Sequence, residues 1–259
     1  MSEHPVLETR DLTIRFGGHV AVDAVSCAFR RGTLTAIVGP NGAGKTTYFN
    51  LVSGQLKATS GRVLLNGEDV TRLSVPERCR RGIGRAFQLT NLFPGLSVRE
   101  NVRLVAQARA GRGARLFTMA EADVALIEKA EHVLAEVGLL ARADLTVGAL
   151  SHGDQRKLEV ALLVALGSDV LMFDEPTAGM SVDEAPVILE LIRTLKADVS
   201  KTILLVEHKM DVIRSLADRI VVLHNGALVA DGEPARVMAE PVVQEAYLGV
   251  DLEEASDAA

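Results

Sequence analysis

Apolar positions along the chain change their rhythm twice, from strand-like to helical and back to alternating elements. Val6 to Phe16 and Val20 to Phe29 alternate in part between apolar and polar, and Gly17-Gly18 splits them, so the pattern predicts two strands. Leu34-Thr-Ala-Ile-Val38 is an apolar strand run, and Thr47-Tyr-Phe-Asn-Leu-Val52 winds well as a helix. Val63-Leu-Leu65 before Asn66-Gly67 predicts a strand entering a tight turn, because that pair tolerates positive φ. Short antiparallel strands are thus expected to surround the strand at 34–38. From about Leu89 to Leu150 the character is helical. Ser97-Val-Arg-Glu100 is a capping-box sequence that predicts a helix from Val98. Val124, Ile127, Leu134 and Val137 fall on one face of a second helix, which Gly138 is placed to end.

After residue 150 strands and helices alternate. Val170-Leu-Met-Phe173 is all apolar, as a strand buried on both faces requires. A helix from Glu184 to Lys196 leads to a second such strand, Thr202 to Val206. Ile220 to Leu223 and Leu228 to Ala230 flank Asn225-Gly226, a hairpin signal. These elements predict an α/β fold, a parallel-sheet core carrying an inserted helical segment.

The 259 residues suffice for one large or two modest domains with a buried core. Apolar residues make up 48%, aromatics 3%, and Trp is absent, so aliphatic packing must dominate. A formal charge of −6 argues against nucleic acid as the main partner. Cys27 and Cys79 are too few for a disulfide scaffold and fit a reducing compartment. Met1 to Pro5 shows no signal peptide, and Val160 to Leu166 falls far short of the ~20 apolar residues that span a bilayer. The expectation is a soluble, cytoplasmic protein that reaches a membrane only through another chain.

Gly39, Pro40, Asn41, Gly42, Ala43, Gly44, Lys45 and Thr46 fill the pattern G-x-x-x-x-G-K-[ST] between a strand and a helix. Glycines there let backbone N–H groups converge, and the helix N-terminus adds partial positive charge for phosphate. Lys45 is expected on the β- and γ-phosphates and the Thr46 hydroxyl on Mg²⁺, with Thr47 completing the cradle. A nucleoside triphosphate is therefore the expected ligand. Asp174-Glu175 directly follows the strand 170–173. In a phosphoryl-transfer site the first acid holds Mg²⁺, usually through water, and the second orients and deprotonates an attacking water.

Leu150-Ser-His-Gly-Asp-Gln155, upstream of Asp174, resembles the signature sequence of ABC-transporter ATPases. The resemblance extends from about Val6 to Gly249. It implies a P-loop ABC ATPase core, a RecA-like parallel sheet with flanking antiparallel strands, within a single ATPase domain. The core would cover about 6–88 and 155–249, a helical subdomain about 89–154, and a frayed tail 250–259. It also implies roles. Phe16 stacks on adenine, and Gln88, in Ala86-Phe-Gln88, reports the γ-phosphate and Mg²⁺ to the helical subdomain. Asp183 belongs to the loop Gly179-Met-Ser-Val-Asp183, and His208 is the switch histidine. Its position after Val206-Glu207 favours that role over the structural one commoner for a lone histidine; His19, His132 and His224 have no comparable context. Ser151 is a good N-cap and Gly153 permits close approach, so this helix end is a second anion site. In the family it binds the γ-phosphate held by the P-loop of the opposite subunit. The chain departs from the common Leu-Ser-Gly-Gly-Gln at His152 and Asp154, with His152 expected to point away. Phe16 stands where tyrosine or tryptophan is frequent.

Phe16-Gly-Gly18, Gly82 to Gln88, Leu150 to Arg156, Glu175 to Met180 and Ala246-Tyr-Leu-Gly249 are similar to ATPases of branched-chain (hydrophobic) amino-acid uptake. ATPases of urea and short-chain amide importers are closely similar and form the alternative. The resemblance implies a second ATPase subunit, identical or paralogous, two integral membrane permeases and an external solute-binding protein. It places the chain on the cytoplasmic face of the cell membrane. A non-transport ABC ATPase is disfavoured by the single cassette and by the lack of a heptad run or basic patch. The basic stretch Arg109 to Arg115 reads as a solvated loop, with lipid headgroups or a partner as the other reading.

Overall fold

The computed structural model describes residues 4–86, 92–110 and 120–248. In chain order the first half contains β1 (Leu7–Phe16), β2 (His19–Phe29), β3 (Leu34–Val38), α1 (Lys45–Ser53), β4 (Ser60–Leu65), β5 (Glu68–Asp69), α2 (Val75–Arg81), β6 (Ile83–Ala86), α3 (Val98–Arg109) and α4 (Ala120–Glu136). Two single 3₁₀ turns, Leu140–Arg142 and Val147–Ala149, lead into α5 (His152–Leu166) and β7 (Val170–Asp174). The remainder is α6 (Ala185–Ala197), β8 (Thr202–Val206), α7 (Met210–Leu216), β9 (Arg219–His224), β10 (Ala227–Gly232), α8 (Pro234–Met238) and α9 (Pro241–Leu248).

A six-stranded sheet runs in the order β10-β9-β3-β8-β7-β6. β9, β3, β8, β7 and β6 are parallel, and β10 closes one edge antiparallel to β9. Every residue of β3, β7 and β8 is buried, because layers cover both faces of the sheet. Alternation sorts their side chains. Leu34, Leu171, Phe173, Ile203 and Leu205 pack with α3 to α6. Ile37, Met172, Leu204 and Val206 pack on the other side with Tyr48, Phe49 and Val52 of α1 and the inner residues of β1, β2 and β4.

The antiparallel strands do not flank β3 within its own sheet. They form a second sheet, β2-β1-β4-β5, stacked over the opposite face from α3 to α6. Period-2 patterning identified them as strands but carries no information on which sheet they join. The tight turns form as the sequence predicts, with Asn66 and Gly67 at φ 49° and 82° and Asn225 and Gly226 at φ 49° and 80°.

The helical stretch differs from expectation in two details. On α4 the buried stripe is Leu126, Ala130, Val133, Leu134 and Val137, while Val124 is 52% exposed. Both sets satisfy helical spacing, and only the contacts of α4 with α3 and α5 select between them. At α3, Ser97 Oγ accepts the Glu100 N–H at 3.1 Å, but the Glu100 carboxylate takes the Arg103 guanidinium at 2.8 Å, so half of the capping box forms. Gly138, at φ 71°, ends the α4 segment in the left-handed region. Among the described residues no helix is long and apolar enough to cross a membrane.

Arg78 on α2 locks the phosphate-side helix to this frame. It is 2% exposed and donates to the carbonyls of Leu51 (2.7 Å), Val52 (2.6 Å), Thr71 (2.7 Å) and Leu73 (3.2 Å). Two of these acceptors are terminal carbonyls of α1, where a cation also meets the negative end of the helix dipole. Arg78→Ala should destabilise the fold by about 3 kcal/mol, since several charge-assisted bonds are lost and buried carbonyls are orphaned. A urea titration should show a lower midpoint at unchanged slope.

Candidate functional site

The P-loop, Asp174 and His208 all lie at the carboxyl ends of β3, β7 and β8, the edge at which such sheets collect ligands. Two loop positions admit only glycine. A Cβ on Gly39 (φ 151°) would fall 2.1 Å from the Leu223 carbonyl oxygen, and one on Gly44 (φ 95°) 2.4 Å from that of Ala21. Around Gly42 (φ 81°), by contrast, there is open space. The Gly226 N–H donates to the Ala43 carbonyl at 3.1 Å, which ties the loop to the β9–β10 hairpin.

Lys45 opens α1, and its ammonium donates to the carbonyls of Gly39 (2.7 Å) and Pro40 (2.8 Å). Burial lowers the Lys45 pKa, opposed by the nearby carboxylates of Glu175 and Asp174. Asn41 through Thr47 line one cleft together with Glu175, His208, His19 and Ala21. The structure thus joins the loop, both hydroxyls and two of the proposed catalytic side chains.

Asp174 is the last residue of β7 and is buried. Burial raises its pKa, while the Arg85 guanidinium, 2.6 Å from Oδ2, draws it back down. Glu175 next to it is not glycine yet has φ 50°, a conformation that costs roughly 1–3 kcal/mol. Its N–H donates to the Val206 carbonyl at 2.9 Å, fixing the turn to the end of β8. The turn carries the carboxylate to His208, with Glu175 Oε1 2.8 Å from Nε2. The histidine loop is braced by Glu207, whose Oε2 accepts the His208 N–H at 2.7 Å and whose Oε1 accepts the Thr177 hydroxyl at 2.6 Å. A carboxylate held against an imidazole beside a phosphate cradle is a geometry for deprotonating an attacking water.

The residues expected to form a second anion site lie elsewhere. Ser151 caps α5, accepting the Asp154 N–H at 3.2 Å and donating to Asp154 Oδ2 at 3.1 Å. Asp154 is buried between Lys157 (3.2 Å) and Arg142, which offset its charge at the helix N-terminus. A Cβ on Gly153 would meet Glu184 Oε1 at 2.8 Å, so the loop after Asp183 packs against this helix start. His152 is exposed. Ser151, Gly153, Asp183 and Phe16, which is 50% exposed, do not line the P-loop cleft. Gln88 lies outside the described residues. The sequence reading gave no role to Arg85, Glu207, Thr177, His19 or Ala21, which lie in or beside the cleft. A charged residue inside the short strand Ile83–Ala86 was the available signal for Arg85.

A profile of the family described as "ABC transporter" matches residues 22–178. This chain belongs to the ABC transporter family. A high-affinity branched-chain amino acid transport ATP-binding protein, BraF of Pseudomonas aeruginosa, is 39% identical over 251 residues, covering 95% of this chain and 98% of that protein. The similarly described LivG of Escherichia coli is 37% identical, again covering 95% and 98%. The ADP conformation of an ATP-binding cassette of an ABC transporter has a TM-score of 0.80 at 29% identity, covering 95% of this chain and 99% of that one. A dimeric post-hydrolysis state of another ATP-binding cassette, bound to ADP and Pi, has a TM-score of 0.73 at 25% identity, covering 88% and 98%. The chain is an ABC ATPase, and it binds nucleotide. Among its described residues no group of three or more His, Cys, Asp or Glu is arranged to hold a metal ion. Mg²⁺ fits nonetheless, since it keeps its waters and leans on one or two protein oxygens plus substrate phosphates.

Lys45→Ala should weaken ATP binding about 10- to 100-fold, the loss of a charge-assisted contact of roughly 1.5–3 kcal/mol. Isothermal calorimetry reads this directly, and an unchanged affinity would remove Lys45 from the site.

Proposed function

We propose that the chain is the ATP-binding, ATP-hydrolysing subunit of a membrane importer whose solute is a branched-chain or other hydrophobic amino acid. The observation that carries the catalytic half is the 2.8 Å contact of Glu175 with His208 in the cleft of Lys45 and Thr46. Backbone N–H groups of Gly42 to Thr47 and the Lys45 ammonium bind the phosphates. Thr46, Asp174 and Gln88 would hold Mg²⁺, which supplies charge neutralisation between the β- and γ-phosphates. Glu175 orients a water and takes its proton, and His208 holds that carboxylate in place. Phe16 offers its exposed ring to the adenine.

One subunit does not complete the site. Ser151, Gly153 and Asp183 sit outside its cleft, and their role is on the nucleotide of a second ATPase subunit, identical or paralogous. The similarity to the BraF and LivG proteins, whose names specify branched-chain amino acid transport, supports the solute class. Two integral permeases and an external solute-binding protein complete the assembly, which places this chain on the cytoplasmic face of the membrane.

The permease contact is assigned to the stretch 89–154, read as a helical subdomain. Its described residues expose Phe93 (53%) and Leu96 (38%) on one turn and Leu145 (48%) on a second segment, whose carbonyl accepts the Val98 N–H at 2.9 Å. The Val147 N–H donates to the Leu96 carbonyl at 3.1 Å, and Asn101 grips both the N–H (2.9 Å) and the carbonyl (3.2 Å) of Phe93. An apolar edge held this rigidly suits docking of another protein.

Phe93→Glu should release the protein from permease-containing membranes in a sedimentation assay while leaving ATP affinity within about twofold, a charge at the core of an interface being strongly unfavourable. Glu175→Gln should slow hydrolysis by roughly 10²–10⁴ and leave ATP binding intact. That variant, alone or mixed with a paralogue, should run as a dimer with ATP and a monomer with ADP in size-exclusion chromatography, because bound nucleotide belongs to the interface. Adding Ser151→Arg should abolish the dimer, and persistence of the dimer would refute the shared site.

A further inference from the structure

Arg85 is used by no step described so far, yet it has one of the most connected side chains near the site. It stands on the edge strand β6 with its side chain 5% exposed, and Nη2 donates to Asp174 Oδ2 at 2.6 Å. Nη1 reaches across to the end of α1, to Asn50 Oδ1 (2.6 Å), Gln55 Oε1 (2.9 Å) and Ser53 Oγ (3.3 Å). The guanidinium carbon lies 5.6 Å from the centroid of the Phe49 ring. One planar cation therefore joins the end of β7 to the helix that begins with Lys45 and Thr46.

The register of that helix makes the link specific. Thr46 and Asn50 are four residues apart on α1, and such residues stack on one helix face a single turn from each other. The hold on Asn50 thus lies one turn behind the Thr46 hydroxyl, and the same guanidinium holds the carboxylate. Asn50, Arg85 and Asp174 form a hydrogen-bonded chain that continues covalently along α1 to Thr46. Charge neutralisation of Asp174 alone requires no partner on α1. Anchoring of α1 alone requires no carboxylate, and a buried ion pair is a poor stability device, since its desolvation offsets its attraction. The fork geometry of arginine serves both partners at once, which the point charge of lysine does not.

We propose that Arg85 is a positioning residue that sets the distance and orientation of the Asp174 carboxylate relative to Thr46, the two protein groups that would hold Mg²⁺. Arg85 occupies Oδ2, so Oδ1 would be the oxygen offered to the cation's water shell. The inference rests on the reading of Asp174 as a magnesium carboxylate.

The test is calorimetric binding of a non-hydrolysable ATP analogue in EDTA and in excess Mg²⁺, so that turnover plays no part. The wild-type protein should gain affinity on addition of Mg²⁺. Arg85→Met should lose at least about tenfold of that gain and Arg85→Lys about threefold, while both bind the analogue in EDTA within about twofold of wild type. Asn50→Ala leaves Arg85 and Asp174 intact and should still lose part of the gain, which neither a role in charge neutralisation nor one in folding predicts. If Arg85→Met does not fold, Arg85→Lys and Asn50→Ala carry the test. A wild-type gain with Mg²⁺ in the folded Arg85 variants and in Asn50→Ala overturns the proposal. Absence of any Mg²⁺ gain in the wild-type protein overturns the magnesium reading of Asp174 instead.

Discussion

Burial of the parallel sheet on both faces is the constraint from which the rest follows. β3, β7 and β8 expose none of their residues, so the centre of the sheet is closed to solvent on both faces. At the strand ends backbone N–H groups and charged side chains can emerge without leaving a buried orphan. The phosphate loop, the acid pair and the histidine loop each emerge there. Three segments far apart in sequence meet because parallel pairing aligns the ends of their strands.

Charge at that edge is arranged so that each buried group has an answer within the protein. Lys45, whose charge burial disfavours, rests on two carbonyls of its own loop. Asp174 rests on Arg85, and Glu207 is satisfied by Thr177 and by the backbone of the histidine loop. Glu175 differs, since it is held in a left-handed backbone conformation and half exposed against His208. Strain stored at one residue, stabilised by its bond to Val206, is a common way for a fold to aim a reacting group.

The helix that starts at His152 carries a different electrostatic problem. A carboxylate at Asp154 in its first turn suits the helix dipole but would repel a phosphate arriving at Ser151. Arg142 and Lys157 flank that carboxylate and balance it. The Glu184 side chain lies against Gly153, so the start of α6 packs on the start of α5.

Much of this was legible from residues alone. Glycine at positions 39, 42 and 44 with Lys45, the Asn-Gly turns, the apolar runs at 170–173 and 202–206 and the Ser151 cap are local signals, each enforced by backbone sterics or by burial within a few residues. They were enough for the fold class and for a nucleotide as the ligand, while the family came from the resemblance of Leu150 to Gln155 to the signature sequence. What tertiary structure decided has no local signature. The antiparallel strands join a separate sheet, α4 turns Leu126 rather than Val124 inward, and Glu100 pairs with Arg103 instead of completing its box. Arg85 is the clearest case. In the sequence it is a single cation in a four-residue strand, and its connection to Asp174 and Asn50 exists only because β6 pairs with β7 beneath the end of α1. Local patterns record what a residue does to its own backbone, whereas long-range pairing determines which charges share a buried space.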